Sequence, residues 1–222
     1  IKECPGDLEV NDLHGKRFTL RRYEVHEAQE TLGVFLAPDG NHKKQVKKMI
    51  RLAQQWADAM RSGHISRADV RLSLISTIWR TLLYPLPALN LSKKECEEVM
   101  SPILKYCLPA MGFCRNFPRP VGFAPLSSMG VGIEHLFTVQ EILRLKDILF
   151  HTTYDTDTGI LYRISLELLL LEVGVSSRIS MLDYDQLSIL ASPSLVKSTW
   201  KFLSEYQLHL EHDLQISCPR ID

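Results

Sequence analysis

At Asn41 the hydrophobic period of this chain changes from two to about 3.6 residues, and that change fixes the class of fold open to it. Upstream, Gly6-Asp7-Leu8-Glu9-Val10 alternates polar and apolar residues. Asn11–Gly15 carries turn chemistry, and Phe18-Thr19-Leu20 with Tyr23 and Val25 suits a returning strand, so a hairpin is predicted. Thr31–Leu36 reads as a further short strand, halted by Pro38-Asp39-Gly40. Downstream the pattern is helical. With Asn41 as N-cap, Val46, Met49, Ile50, Ala53, Trp56, Ala57 and Met60 fall on one arc of roughly 120°, and Ser62-Gly63 ends the helix.

Ser66-Arg67-Ala68-Asp69 is a capping box with Asp in place of Glu. It opens a helix with Val70, Leu74, Ile75, Ile78 and Leu82 inward, stopped by Pro85 and Pro87. Ser92-Lys93-Lys94-Glu95 is a second such box, leading a helix with Cys96, Val99 and Met100 inward that Ser101-Pro102 either kinks or restarts. Three more helices are predicted near Thr138–Thr152, Gly159–Val173 and Pro193–His212, the last led by the cap Ser192-Pro193. The expected organisation is a β-rich segment at 1–40, a helical region at 41–111, an irregular Pro/Gly connection at 112–137 and a helical region at 138–222. The fold class is mainly α with a small N-terminal β-hairpin region, that is, α+β.

The composition is that of a globular chain: 45% hydrophobic, 23% charged, and 11 each of Gly and Pro in 222 residues, which excludes disorder and low complexity. Five cysteines, Cys4, Cys96, Cys107, Cys114 and Cys218, form no C-x-x-C pair. Neither a disulfide framework nor a zinc ribbon is encoded, and a reducing intracellular compartment, cytoplasm or nucleus, is expected. No apolar run approaches the roughly 18–20 residues of a membrane span, Leu168–Leu171 being the longest candidate, and no signal peptide opens the chain. The chain begins with Ile1, which suggests a segment of a longer polypeptide.

Catalytic constellations are scarce. Asp155 and Asp157 could approach a divalent cation, as a small metal-dependent hydrolase would need. An EF-hand loop, however, would require ligands where Gly159 and Leu166 stand, so a solvated turn is the better reading. Asp183-Tyr184-Asp185 meets the same objection. His209 and His212 lack a third ligand, and Cys107 and Cys114 lack a neighbouring His. No phosphate-binding glycine loop, metalloprotease motif or nucleophile elbow occurs. No catalytic and no metal-ligating residue is therefore assigned.

The balance of 26 basic and 26 acidic residues hides an asymmetry. From Asn41 to Thr81 nine basic side chains face two acids, Asp58 and Asp69. Lys43, Lys47 and Arg51 are spaced i, i+4, i+8 with Lys44 and Lys48 beside them, so one face of the first helix is cationic. Arg67, Arg71 and Arg80 follow on the next helix. A phosphate backbone suits that demand for anions.

The order of features resembles the reverse transcriptases of non-LTR, LINE-like retroelements, in the region after the catalytic palm motif. Glu30-Thr31-Leu32-Gly33-Val34-Phe35-Leu36-Ala37-Pro38-Asp39-Gly40 is similar to the family's "YLGV…DG" strand, with Thr31 where an aromatic is usual. A basic helix and a helix ending in Leu82-Leu83-Tyr84-Pro85 follow, as in the family's "LLYG" end. Phe117–Pro125 and Met129-Gly130-Val131-Gly132-Ile133 look like its "P…lY.P…GGLGI" segment, with Met129 replacing a glycine. The resemblance covers roughly residues 7–150.

That resemblance implies the palm edge plus the helical thumb of a right-hand polymerase. Leu32, Gly33 and Val34 would form the primer grip, and Lys43, Lys44, Lys47, Lys48, Arg51, Arg67 and Arg71 would hold an RNA–DNA or DNA duplex through its phosphates. The rest of the parent polymerase chain would be the other partner, and no membrane is expected. The family's Y-x-D-D hairpin is absent from this sequence, so the aspartates that hold the Mg2+ ions of the parent enzyme would precede Ile1, and no cofactor is expected here. The alternative reading is a helical protein-interaction module whose basic helix binds an acidic partner.

Overall fold

Asp12 closes the first hairpin. Its Oδ1 accepts the backbone N–H groups of His14 (2.8 Å) and Lys16 (2.9 Å). Strands β1 (Leu8–Asn11) and β2 (Arg17–Leu20) pair antiparallel, Leu8 opposite Leu20 and Val10 opposite Phe18, so these four apolar side chains share one face. Tyr23 and Val25 lie beyond the strand they were expected to extend. The structure, a computed structural model, describes residues 8–20, 22–63, 65–154, 156–176 and 179–210. It divides into two compact units, residues 1–47 and 48–222.

The expected strand at Thr31–Leu36 is instead a second hairpin, β3 (Gln29–Thr31) against β4 (Val34–Leu36). Leu32 and Gly33 form its two-residue turn, with φ of 50° and 83°. Two successive left-handed residues are what a type I′ turn requires, because its twist matches that of the flanking strands. Leucine is a poor residue for that conformation, which is why the run reads as one strand in the sequence.

Helix α1 (Lys43–Ser62) opens where Asn41 Oδ1 accepts the N–H of Lys43 (3.1 Å). Its apolar arc is as expected: Val46, Met49, Ala53 and Ala57 are buried, and Ile50, Trp56 and Met60 are half-buried. Helix α2 (Arg67–Ser73) starts on Ser66, whose hydroxyl accepts the N–H of Asp69. It runs through a π-helical turn (Leu74–Ile78) into α3 (Trp79–Leu83), the N–H of Trp79 reaching the carbonyl of Leu74. Val70, Leu74, Ile78 and Leu82 are buried at strict four-residue spacing, which the wider turn accommodates. Ile75, expected inward on a regular period, is 47% exposed.

Both halves of the second capping box are present at Ser92 and Glu95, leading α4 (Lys93–Ala110). Helix α4 continues through Pro102 and buries Cys96, Val99, Met100, Ile103, Leu104 and Cys107. Burial pushes the thiols of Cys96 and Cys107 up to about 12, so both stay protonated at neutral pH. Cys114 is exposed, and Cys4 and Cys218 lie outside the described residues.

The connection expected to be irregular contains helix α5 (Arg119–Phe123) and a 3-10 turn at Leu126–Ser128. The chain then doubles back. The N–H groups of Val131, Gly132 and Ile133 donate to the carbonyls of Val121, Ala124 and Gly122 (2.9–3.1 Å). Met129, standing where the resemblance has a glycine, is left-handed (φ 58°, ψ 21°) and 93% exposed. Replacing it by glycine relieves a strain of about 1–2 kcal/mol against an entropic cost of about 0.5–1. Met129→Gly is therefore expected to raise the stability by up to about 1 kcal/mol, read as an increased urea midpoint with an unchanged m-value.

Helix α6 (Leu136–Thr153) carries a polar strip through the core. Gln140 accepts from the N–H of Leu91 and donates to its carbonyl (3.0 Å each), clasping that residue as a strand would. Arg144 donates Nη1 to both oxygens of Glu141 (2.7 and 2.9 Å) and Nη2 to the Leu89 carbonyl and Asn90 Oδ1. All three side chains are at most 3% exposed. Helix α7 (Asp157–Val173) and helix α9 (Leu195–Glu205), with α8 (Tyr184–Leu187) between them in the chain, enclose a cluster of Leu166, Leu169, Val173, Ile179, Ala191, Val196 and Trp200. The cap of α9 is Ser194, not the expected Ser192-Pro193, and α9 ends at Glu205 rather than His212. The architecture is mainly helical with two small antiparallel hairpins.

Candidate nucleic-acid interface

A helix N-terminus concentrates unpaired N–H groups and a partial positive charge, so cations there oppose the macrodipole by about 0.3–1 kcal/mol each at low ionic strength. Helix α1 has no acid in its first turn and places Lys43, Lys44, Lys47 and Lys48 in its first six residues. The arrangement works against the helix. Lys43, Lys47 and Arg51 are exposed on one stripe, centred about 130° around the helix from the buried Val46, Met49 and Ala53. The stripe runs about 12 Å along the axis, the reach of three to four phosphates of one duplex strand. Among the described residues these three side chains have no salt-bridge partner; Asp58, the helix's first acid, pairs with Arg61 instead.

Lys44 has a different task. Its ammonium donates to the Ala28 carbonyl (3.2 Å) and lies 4.1 Å from the centre of the Phe35 ring. Gln45, 3% exposed, accepts the N–H of Phe35 (2.9 Å). These contacts bind the β3–β4 hairpin to the first turn of α1. Of the expected grip residues, Val34 is buried, whereas Leu32 (85% exposed) and Gly33 form the hairpin tip. Gly33 is thus at a turn rather than inside a strand, and a Cβ there would meet nothing within 4 Å.

The α2 arginines divide. Arg71 is half-buried and donates Nη1 to the Val131 carbonyl (2.8 Å), so it braces the doubled-back connection. Arg67 is exposed and lies over Gly112, where a Cβ would come within 3.0 Å of its guanidinium carbon. Lys48 is half-buried. The sequence reading missed Gln140, Glu141 and Arg144, whose only signal is polar residues at inward helical positions between Leu136 and Ile148.

Asp157 sits exposed in the first turn of α7, Asp155 and His212 lie outside the described residues, and Asp183 caps α8 through the N–H groups of Asp185 and Gln186. Among the described residues no group of three metal-ligating side chains comes together, and no helix is long and apolar enough to cross a membrane. No family model matches the sequence, and neither a curated protein nor a solved structure is significantly similar to it.

Proposed function

We propose that this chain is the primer-grip and thumb portion of an RNA-directed DNA polymerase of the LINE-like kind, and that it holds the template–primer duplex through phosphate contacts. The observation that carries the reading is the exposed stripe Lys43, Lys47, Arg51, which begins in the first turn against the dipole of its own helix and has no salt-bridge partner among the described residues. Such a stripe tracks a duplex without reading its sequence. Two further features agree with the assignment: the left-handed Met129 where the family has glycine, and the β3–β4 hairpin, with Leu32-Gly33 at its tip, held to the basic helix through Phe35 and Ala28 by Gln45 and Lys44. The chain would contribute binding and positioning, while the aspartates and metal ions of nucleotidyl transfer would belong to the parent enzyme.

Replacing Lys43, Lys47 and Arg51 together by Gln tests this. Each lost phosphate contact removes about 0.9 from the log–log salt slope on B-DNA, so the slope should flatten by roughly two to three units. Titration against one random-sequence RNA–DNA hybrid at several salt concentrations reads it out. The thermal midpoint should hold or rise slightly, because glutamine is a good helix former and the repulsion with the dipole is removed. Equal slopes for the two proteins would overturn the proposal, and binding of acidic polypeptides but not duplex would favour the interaction-module alternative.

A further inference from the structure

Helix α7 is apolar on two opposite sides. Leu166, Leu169 and Val173 face the core. On the far side Ile160, Leu161, Ile164, Leu168 and Leu171 are 45, 65, 54, 55 and 63% exposed. At 100° per residue these five fall within an arc of about 100° centred opposite the buried one. Together they present on the order of 500 Å² of surface, near the top of what a monomer ordinarily leaves open in one patch. A helix face this apolar is normally covered.

The spacing says by what. Leu161, Ile164, Leu168 and Leu171 follow intervals of three, four and three residues, an a/d seam rather than the broader stripe of a helix lying on a core. The seam is also palindromic about position 166: Leu161 mirrors Leu171, and Ile164 mirrors Leu168. A two-fold interface must be self-complementary, with residue i meeting residue j and j meeting i. Antiparallel pairing about that centre stacks Leu161 on Leu171 and Ile164 on Leu168 in four apolar layers. One rim then carries Arg163 and Glu167 of each copy at steps of about two residues along the axis, so that each Glu167 has the other copy's Arg163 on one side and its own mate on the other. The other rim carries Ser165 beside its own mate. Glu172, at the edge of that rim, accepts the Ser192 N–H (2.8 Å).

We propose that this face of α7 is a homodimer interface, in which the helix pairs antiparallel with α7 of a second copy of this chain. Sedimentation equilibrium of the whole chain from 1 to 100 µM is expected to give a monomer–dimer equilibrium in that range, the interface being smaller than a standard permanent one. Leu168→Lys should weaken dimerisation at least 100-fold with an unchanged helical circular-dichroism signal, since the side chain it replaces is more than half exposed.

Orientation is read separately. A spin label on Thr158→Cys, in a background with Cys4, Cys114 and Cys218 replaced by Ser, lies eight residues from the two-fold. The two labels are then about 24 Å apart along the axis at 1.5 Å per residue, whereas parallel pairing brings them to about 10 Å. A wild-type chain that stays monomeric at 100 µM, a dimer insensitive to Leu168→Lys, or a label distance near 10 Å would each overturn the proposal.

Discussion

Arg144→Met is expected to cost about 3–5 kcal/mol, enough to consume a large part of an ordinary domain's stability. The guanidinium contacts both Glu141 oxygens, the Leu89 carbonyl and Asn90 Oδ1, and the pair is 3% and 1% exposed on its side chains. Removing the cation leaves a carboxylate in the core with, among the described residues, only Gln140 Nε2 (3.1 Å) to satisfy it, and strips the Leu89 carbonyl of this donor. Leaving one charge of a buried pair behind is what makes the loss large; the pair itself contributes little relative to an apolar replacement. Arg144→Met combined with Glu141→Leu should therefore recover much of the loss, though not the part due to Leu89 and Asn90. Urea denaturation of the two variants and the wild type measures both quantities.

The pair also marks where the sequence stops being legible. Ser66 with Asp69, Ser92 with Glu95, Asp12 in its turn and the apolar arc of α1 are all local: the residue type and the backbone group it satisfies lie within four positions, so each is readable from a string. The features that were misread have partners far along the chain or conformations unusual for their residues. Glu141 and Arg144 look like solvated helix residues until Leu89 and Asn90, more than 50 positions earlier, come to lie beside them. Leu32 gives no sign of a turn because leucine has no preference for positive φ. Ile75 points outward because a π-helical turn shifts the period just there. Of the candidate interface, the cationic stripe was visible from spacing alone. That Lys44 and Arg71 would be committed to the fold was not, since Ala28 and Val131 are 16 and 60 positions away.

Gly159→Ala should destabilise the chain by about 2–4 kcal/mol, against the roughly 1 kcal/mol gain that helix propensity assigns to the same change in an open helix. Gly159 is the third residue of α7, its N–H donating to the hydroxyl of the cap Thr156 (3.1 Å). A Cβ at this position would lie 2.1 Å from the His151 carbonyl oxygen and 2.7 Å from its carbon, near the end of α6. Those atoms are backbone, so no rotamer change opens the space, and the first turn of α7 must move by about 1 Å. That displacement pulls Thr156 from His151, whose Nδ1 lies 2.9 Å from the threonine hydroxyl, and strains the cap that starts the helix. Thr158→Ala, one residue earlier and exposed, makes the control: it should be neutral or slightly stabilising. If the two variants shifted the urea midpoint in the same direction and by similar amounts, the close approach of α6 and α7 would have no energetic weight. The expected opposite signs would show that backbone contact, not intrinsic propensity, selects glycine at this crossing.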